Sequence, residues 1–156
     1  MYRGLENKRE INLVDTAGKC RPATISLSTH HRSEGGFSRR ECNIHLVSEE
    51  LNIHASAFDY FDAFCRIREQ LAAHGFYPLC YGASRSVYPS SLCRDMSEGL
   101  IAYKHRVGTA VRPEDQVNIF DTGPEVEVAT VAEQQAFYLA FISAFIKEPS
   151  ALKTLP

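Results

Sequence analysis

Residues 56–75 read SAFDYFDAFCRIREQLAAHG, and they restrict the folds open to this chain more than any other stretch. Tyr60, Phe64, Ile67 and Leu71 recur with helical spacing, and Phe61 lies beside them. That is a single apolar stripe of an α-helix, and such a stripe must be covered by a sheet or another helix. Ser56 is placed to cap the helix with its hydroxyl, and Asp59 stands where an acidic side chain reaches back to the cap. Gly75 ends it, at a position where positive φ costs glycine little. Asp62 and Arg66 are spaced i, i+4 on the wet side.

The flanking segments have period two. Ile11 and Leu13 alternate with polar neighbours, as do Thr24–Ser28 and then Cys42, Ile44 and Leu46. Such alternation marks strands buried on one face only. Ala17-Gly18-Lys19 reads as a hairpin turn, and Pro22 belongs near the start of the second strand because it cannot donate to a ladder. Residues 29–38, THHRSEGGFS, read as an exposed loop. Three strands in succession favour an antiparallel meander. Further strands are expected at Tyr77–Ala83, Leu100–Val107 and Val117–Phe120. Thr130-x-x-Glu133 opens a second helix as a capping box, with Phe137, Tyr138, Phe141 and Phe145 as its apolar stripe and Pro149 as its stop. The fold class is α+β: a mostly antiparallel sheet of about five to six strands packed by two amphipathic helices, in the order βββ-α-βββ-α. A single domain is expected over 1–156, with a loose arm at 1–8 and a tail at 150–156.

Composition narrows the function classes. A formal net charge of −2 gives no electrostatic case for nucleic acid. No apolar run is long enough to span a bilayer, and the polar start MYRGLENKRE has no signal-peptide core. A cytoplasmic protein is expected. Five cysteines at 20, 42, 65, 80 and 93 lack CxxC spacing and read as thiols in a reducing compartment. Cys42-x-x-His45 and His30-His31 come nearest to metal-ligand spacing, but no second cluster completes a set. No metal or cofactor is expected. Phosphate-binding glycine motifs are absent as well.

Two stretches carry candidate site residues. Asp59, Asp62, Arg66 and Glu69 are read along one solvated helix face, where the acidic residues suit a basic partner. The segment from Tyr81 to Tyr103 is dense in Tyr, Arg, Ser and Met. Arg85, Tyr88, Ser90, Ser91, Arg94 and Asp95 are its candidate partner-binding residues, because Tyr and Arg dominate interface hot spots. The YPSS run at 88–91 cannot be a regular strand interior. Residues 80–105 hold what an enzyme would need, with Cys80, Cys93, Ser84, Ser90 and Ser91 as nucleophiles and His105 as a base, although no G-x-S-x-G elbow is present.

Residues 82–104, GASRSVYPSSLCRDMSEGLIAYK, followed by VNIFDTGP at 117–124, resemble a group of small bacterial proteins. Their pattern is close to Cys-x-Gly-Ala, VYPSGM, RxM, GLxAY and DLVDIFD, ending in an EQxxFxxxW-type helix. These look like the cytoplasmic immunity partners encoded beside Rhs-type polymorphic toxins, which type VI secretion delivers. The match covers about residues 60–146. It departs at Ser91 and Leu92, where the pattern prefers Gly-Met, and at Phe141, where Trp is usual. The resemblance implies a binding protein and not a catalyst: a chain that docks on a cognate toxin domain and neutralises it. The alternatives are a small enzyme with a Ser, Cys or His site in residues 80–105, and a self-associating structural module.

Overall fold

The computed structural model describes residues 7–147. The protein is α+β, and the chain divides into two compact units, Met1–Pro78 and Leu79–Pro156. The first contains a five-stranded antiparallel sheet and the second a three-stranded one. Of the arm expected over 1–8, Asn7 and Lys8 belong to the first strand, and residues 1–6 lie outside the described residues. The expected tail at 150–156 and the stop at Pro149 also lie outside them.

In the first unit, β1 (Asn7–Asp15), β2 (Cys20–Glu34), β3 (Phe37–Val47) and β4 (Asn52–Ala57) form a meander. Helix α1 (Tyr60–Ala73) and the short strand β5 (Phe76–Pro78) complete it, in the sheet order β4-β3-β2-β1-β5. Alternation decides what is buried. Ile11 and Leu13 on β1, Ile25 and Leu27 on β2, and Ile44 and Leu46 on β3 share the inner face, and all are buried. With Phe61, Phe64, Ile67 and Leu71 of α1 they make the core, each burial being worth about 1.5–3 kcal/mol before entropy costs.

The turn between β1 and β2 falls where Ala17-Gly18-Lys19 predicts it. Asp15 Oδ1 accepts from the amides of Ala17 and Lys19, both at 2.9 Å, and Gly18 takes φ 82°. Pro22 sits near the start of β2, opposite Asn12 and short of the first pairing with β3 at Thr24. On that side its missing N–H leaves no ladder bond unmade.

Three local expectations are corrected. Residues 29–38 are not a loop: β2 and β3 continue as a ladder to Glu34↔Phe37, and only Gly35-Gly36 turns. Both glycines have positive φ, 58° and 85°, as a two-residue primed hairpin turn requires. The extension shows no apolar alternation because His30–Arg39 are exposed on both faces. Helix α1 starts later than Ser56, which lies in β4. The cap is Asp59, whose carboxylate accepts from Asp62 N at 2.8 Å. Strand β4 was unforeseen because its inward residues after Ile53 are only alanines, Ala55 and Ala57. Its exposed edge is blunted by α1: Gln70 Nε2 donates to His54 O at 3.2 Å and Arg66 Nη1 to Ser56 O at 2.6 Å.

In the second unit, β6 (Val87–Tyr88), β7 (Ile101–Lys104) and β8 (Gln116–Asn118) form the sheet. Helices α2 (Ser91–Met96) and α3 (Val131–Lys147) accompany it. The expected strand at Tyr77–Ala83 is cut to β5, because Tyr81–Ala83 close a 3-10 turn. The capping box of α3 forms as expected: Glu133 N donates to Thr130 Oγ1 at 3.1 Å, and Thr130 N to Glu133 Oε1 at 3.2 Å. Among the described residues no helix is long and apolar enough to cross a membrane.

Candidate functional site

The segment Tyr81–Tyr103 separates into an inner layer that holds the second unit together and an outer layer of stacked aromatic and cationic side chains. The inner layer is a set of backbone and buried polar bonds. Gly82 N donates to Ile119 O at 2.7 Å, Arg85 N to Glu127 O at 2.8 Å, and Ala129 N to Ala83 O at 3.1 Å. The hydroxyl of Ser84 is buried and accepts from Glu127 N at 2.9 Å.

Gln134 completes this layer. It is 1% exposed, and its Nε2 donates to the carbonyls of Gly82, Ser84 and Val87 at 3.0, 2.9 and 2.8 Å. The two N–H groups of one amide on α3 are therefore shared among three carbonyls, two in the irregular stretch before β6 and one at Val87 in β6. Sequence reasoning gave Gln134 no role. Its only signal was its place in the EQxxF pattern.

The outer layer begins at Ser90. Its hydroxyl accepts from Cys93 N at 3.1 Å, so the YPSS run is a strand end followed by the cap of α2. The helix turns Arg94 back over the ring of Tyr88, with the guanidinium carbon 5.5 Å from the ring centroid. Tyr88 stacks on Tyr138 of α3 at 4.1 Å and an interplanar angle of 14°. Beneath them His105 packs on Phe141 at 4.3 Å and on Tyr138 at 5.4 Å, and its Nε2 lies 3.1 Å from Tyr88 O. Burial holds the His105 pKa below the ordinary histidine value, against the opposing pull of the Tyr88 carbonyl. Burial also raises the Tyr138 pKa. Leu92 and Met96, two positions either side of Arg94 on α2, are 60% and 79% exposed. Ser91 and Asp95 are exposed on the same helix.

Arg85 lies apart from Arg94 along the segment, 3.8 Å from a Glu127 carboxylate oxygen and 5.9 Å from the Phe137 ring centroid. Tyr81 anchors the far end of the inner layer. Its hydroxyl donates to Glu125 at 2.6 Å, which pushes the phenol up to about 12 and holds the Glu125 carboxyl down.

The acidic candidates belong to the first unit and do not form one face. Asp59 is 2% exposed and is consumed by capping α1. Asp62 and Glu69 are exposed with Arg66 between them, so this side of the helix is of mixed charge. The residues considered for nucleophilic chemistry are placed differently from a catalytic arrangement. Cys80 and Ser84 are 0% and 1% exposed, Cys93 is buried, and the Ser84 hydroxyl is occupied. No disulfide joins the five cysteines. Cys42 faces the core, whereas His45 points to the opposite face and stacks on His54 at 3.8 Å. Among the described residues no cluster of His, Cys, Asp or Glu is arranged to hold a metal ion.

No protein-family model matches this sequence, and no curated protein matches it significantly.

Proposed function

We propose that this chain is a cytoplasmic immunity-type protein that binds a cognate polymorphic toxin domain and neutralises it by protein–protein contact. The observation that carries the reading is the Arg94–Tyr88–Tyr138 stack, built on the same short helix that exposes Leu92 and Met96. Arginine stacked on tyrosine is hot-spot chemistry, and an exposed methionine on the same helix is typical of interfaces. The stack costs little further entropy on binding, because Ser90 already fixes α2 and Gln134 already fixes the segment beneath. The occupied Ser84 hydroxyl and the buried Cys80 favour a binder over a nucleophilic enzyme.

The test is co-expression with the toxin domain encoded beside this gene. The wild-type chain restores growth and co-purifies with the toxin. Replacing Arg94 and Met96 together by alanine weakens the complex by about 2–4 kcal/mol, the range of hot-spot truncations. A complex that forms equally well with this double variant refutes the assignment of the site. Failure of the wild-type chain to bind or protect refutes the function.

A further inference from the structure

The β2–β3 hairpin of the first unit carries a second surface that nothing above uses. Strand β4 leaves the ladder at Ala57, opposite Cys42. Beyond that point β3 from Phe37 to Glu41 has a strand partner on one side only, among the described residues. A cavity of about 400 Å³ lies there, bounded by the hairpin, by Ser56–Phe58 and by Arg66 of α1.

Four arginines line it, Arg32, Arg39, Arg40 and Arg66, against the two carboxylates of Glu34 and Glu41. Their arrangement is not one that stability alone selects. Arg32 and Arg39 stand directly opposite each other on the ladder, where like charges destabilise a strand pair. Arg32 is offset by Glu41 at 3.5 Å, and Arg40 lies over the Phe58 ring with its Nε donating to Phe58 O at 2.9 Å. Arg39 is exposed and has no ion-pair partner among the described residues. Phe58 is itself 58% exposed, and Phe37 at the hairpin tip is 77% exposed.

We infer that the open edge of β3 is a docking groove for an extended acidic segment of a protein partner, which adds as a strand where β4 stops. In a strand alternate side chains point to opposite faces. Acidic residues on one face of the added segment then meet Arg32 and Arg39, and the other face lies towards Arg40 and Phe58. Backbone pairing supplies affinity and the arginines supply selectivity, as in other strand-addition complexes. The charge pattern selects this occupant. A second copy pairing edge to edge brings the same arginines against themselves, and a phosphate backbone has no N–H and C=O groups to pair with the open edge of β3. The inference is independent of the toxin reading, since it concerns a different unit.

A fluorescently labelled peptide of alternating glutamate and valine tests it by anisotropy. Its lysine counterpart and a single-stranded oligonucleotide serve as competing probes, against the wild-type chain and Arg39→Glu. This substitution places a carboxylate opposite Arg32, so the variant folds at least as well as the wild type by thermal melting. The glutamate peptide binds the wild-type chain, shifts the amide signals of residues 37–41, and binds the variant about tenfold or more weakly. Equal binding to both proteins, no binding of the glutamate peptide, tighter binding of the oligonucleotide, or self-association that Arg39→Glu abolishes each overturns the inference.

Discussion

Gln134 ties α3 to the irregular segment of the second unit. Its amide donates to three carbonyls 47 to 52 positions earlier in the chain, and it is almost fully buried. Gln134→Leu keeps the volume and removes the donor. The two N–H donors shared by these carbonyls are lost, at about 1 kcal/mol each in net terms and more where a buried acceptor is left bare, so the expected loss is about 2–3 kcal/mol. Gln134→Glu keeps the shape more closely but turns a donor into a carboxylate facing three carbonyl oxygens. The fold admits that group only when protonated. Holding a glutamate protonated at pH 7, from a reference near 4.3, costs about 3.7 kcal/mol, so the total loss there is about 5–6 kcal/mol once the proton's single new bond, about 1 kcal/mol, is credited. The folded-state pKa of the introduced group is raised, so its penalty is greatest above that pKa and shrinks as pH falls. About 1.4 kcal/mol returns per pH unit, or roughly 2.7 kcal/mol between pH 7 and pH 5. Urea unfolding followed by circular dichroism measures these losses, which suits a chain with no tryptophan. Hydrogen exchange locates them, with faster exchange in residues 79–90 and unchanged protection in β2 and β3. If Gln134→Glu and Gln134→Leu are equally stable at pH 7, or if both cost less than about 0.5 kcal/mol, the account of the inner layer is wrong.

Three further outcomes follow from the same bonds. His105 has a folded-state pKa below its unfolded value, so it contributes stability that is present above pH ~6.5 and lost as pH falls through the folded pKa. His105→Phe should flatten that part of the second unit's acid profile, seen as a smaller change in the urea midpoint between neutral and acidic pH. Asp59→Ala should destabilise the first unit by about 1 kcal/mol through loss of the α1 cap, and Asp59→Asn should recover most of that in the same assay. An alanine Cβ at Gly123 would collide with the Tyr81 hydroxyl, the movable end of a side chain. Gly123→Ala should therefore cost under about 1 kcal/mol while breaking the Tyr81–Glu125 bond. The Tyr81 phenol would return from about 12 toward 10, read from its ring-carbon shift in an NMR pH titration.

Sequence alone determined those elements in which one face is wet and the other dry. The alternation at Ile11, Leu13, Ile25, Leu27, Ile44 and Leu46, the stripe from Tyr60 to Leu71 and the Thr130–Glu133 box all carry their instruction within a few residues, and each formed as read. Tertiary structure decided the rest, because the deciding partner lay elsewhere. The ladder from His30 to Arg39 is wet on both faces and shows no period. Strand β4 is inferred only from β3 beside it. Asp59 was read as a surface acid because Ser56 also suits a cap, and only the pairing of Ser56 with Asn43 in β4 and β3 leaves the cap to Asp59. The segment after Tyr77 looked peculiar because its carbonyls are served by Gln134 from α3. Arg94 joined Tyr88 and Tyr138 only once that bond and the Ser90 cap had set their elements in place. Local periodicity records which side of an element is buried, but not which distant side chain completes an irregular one.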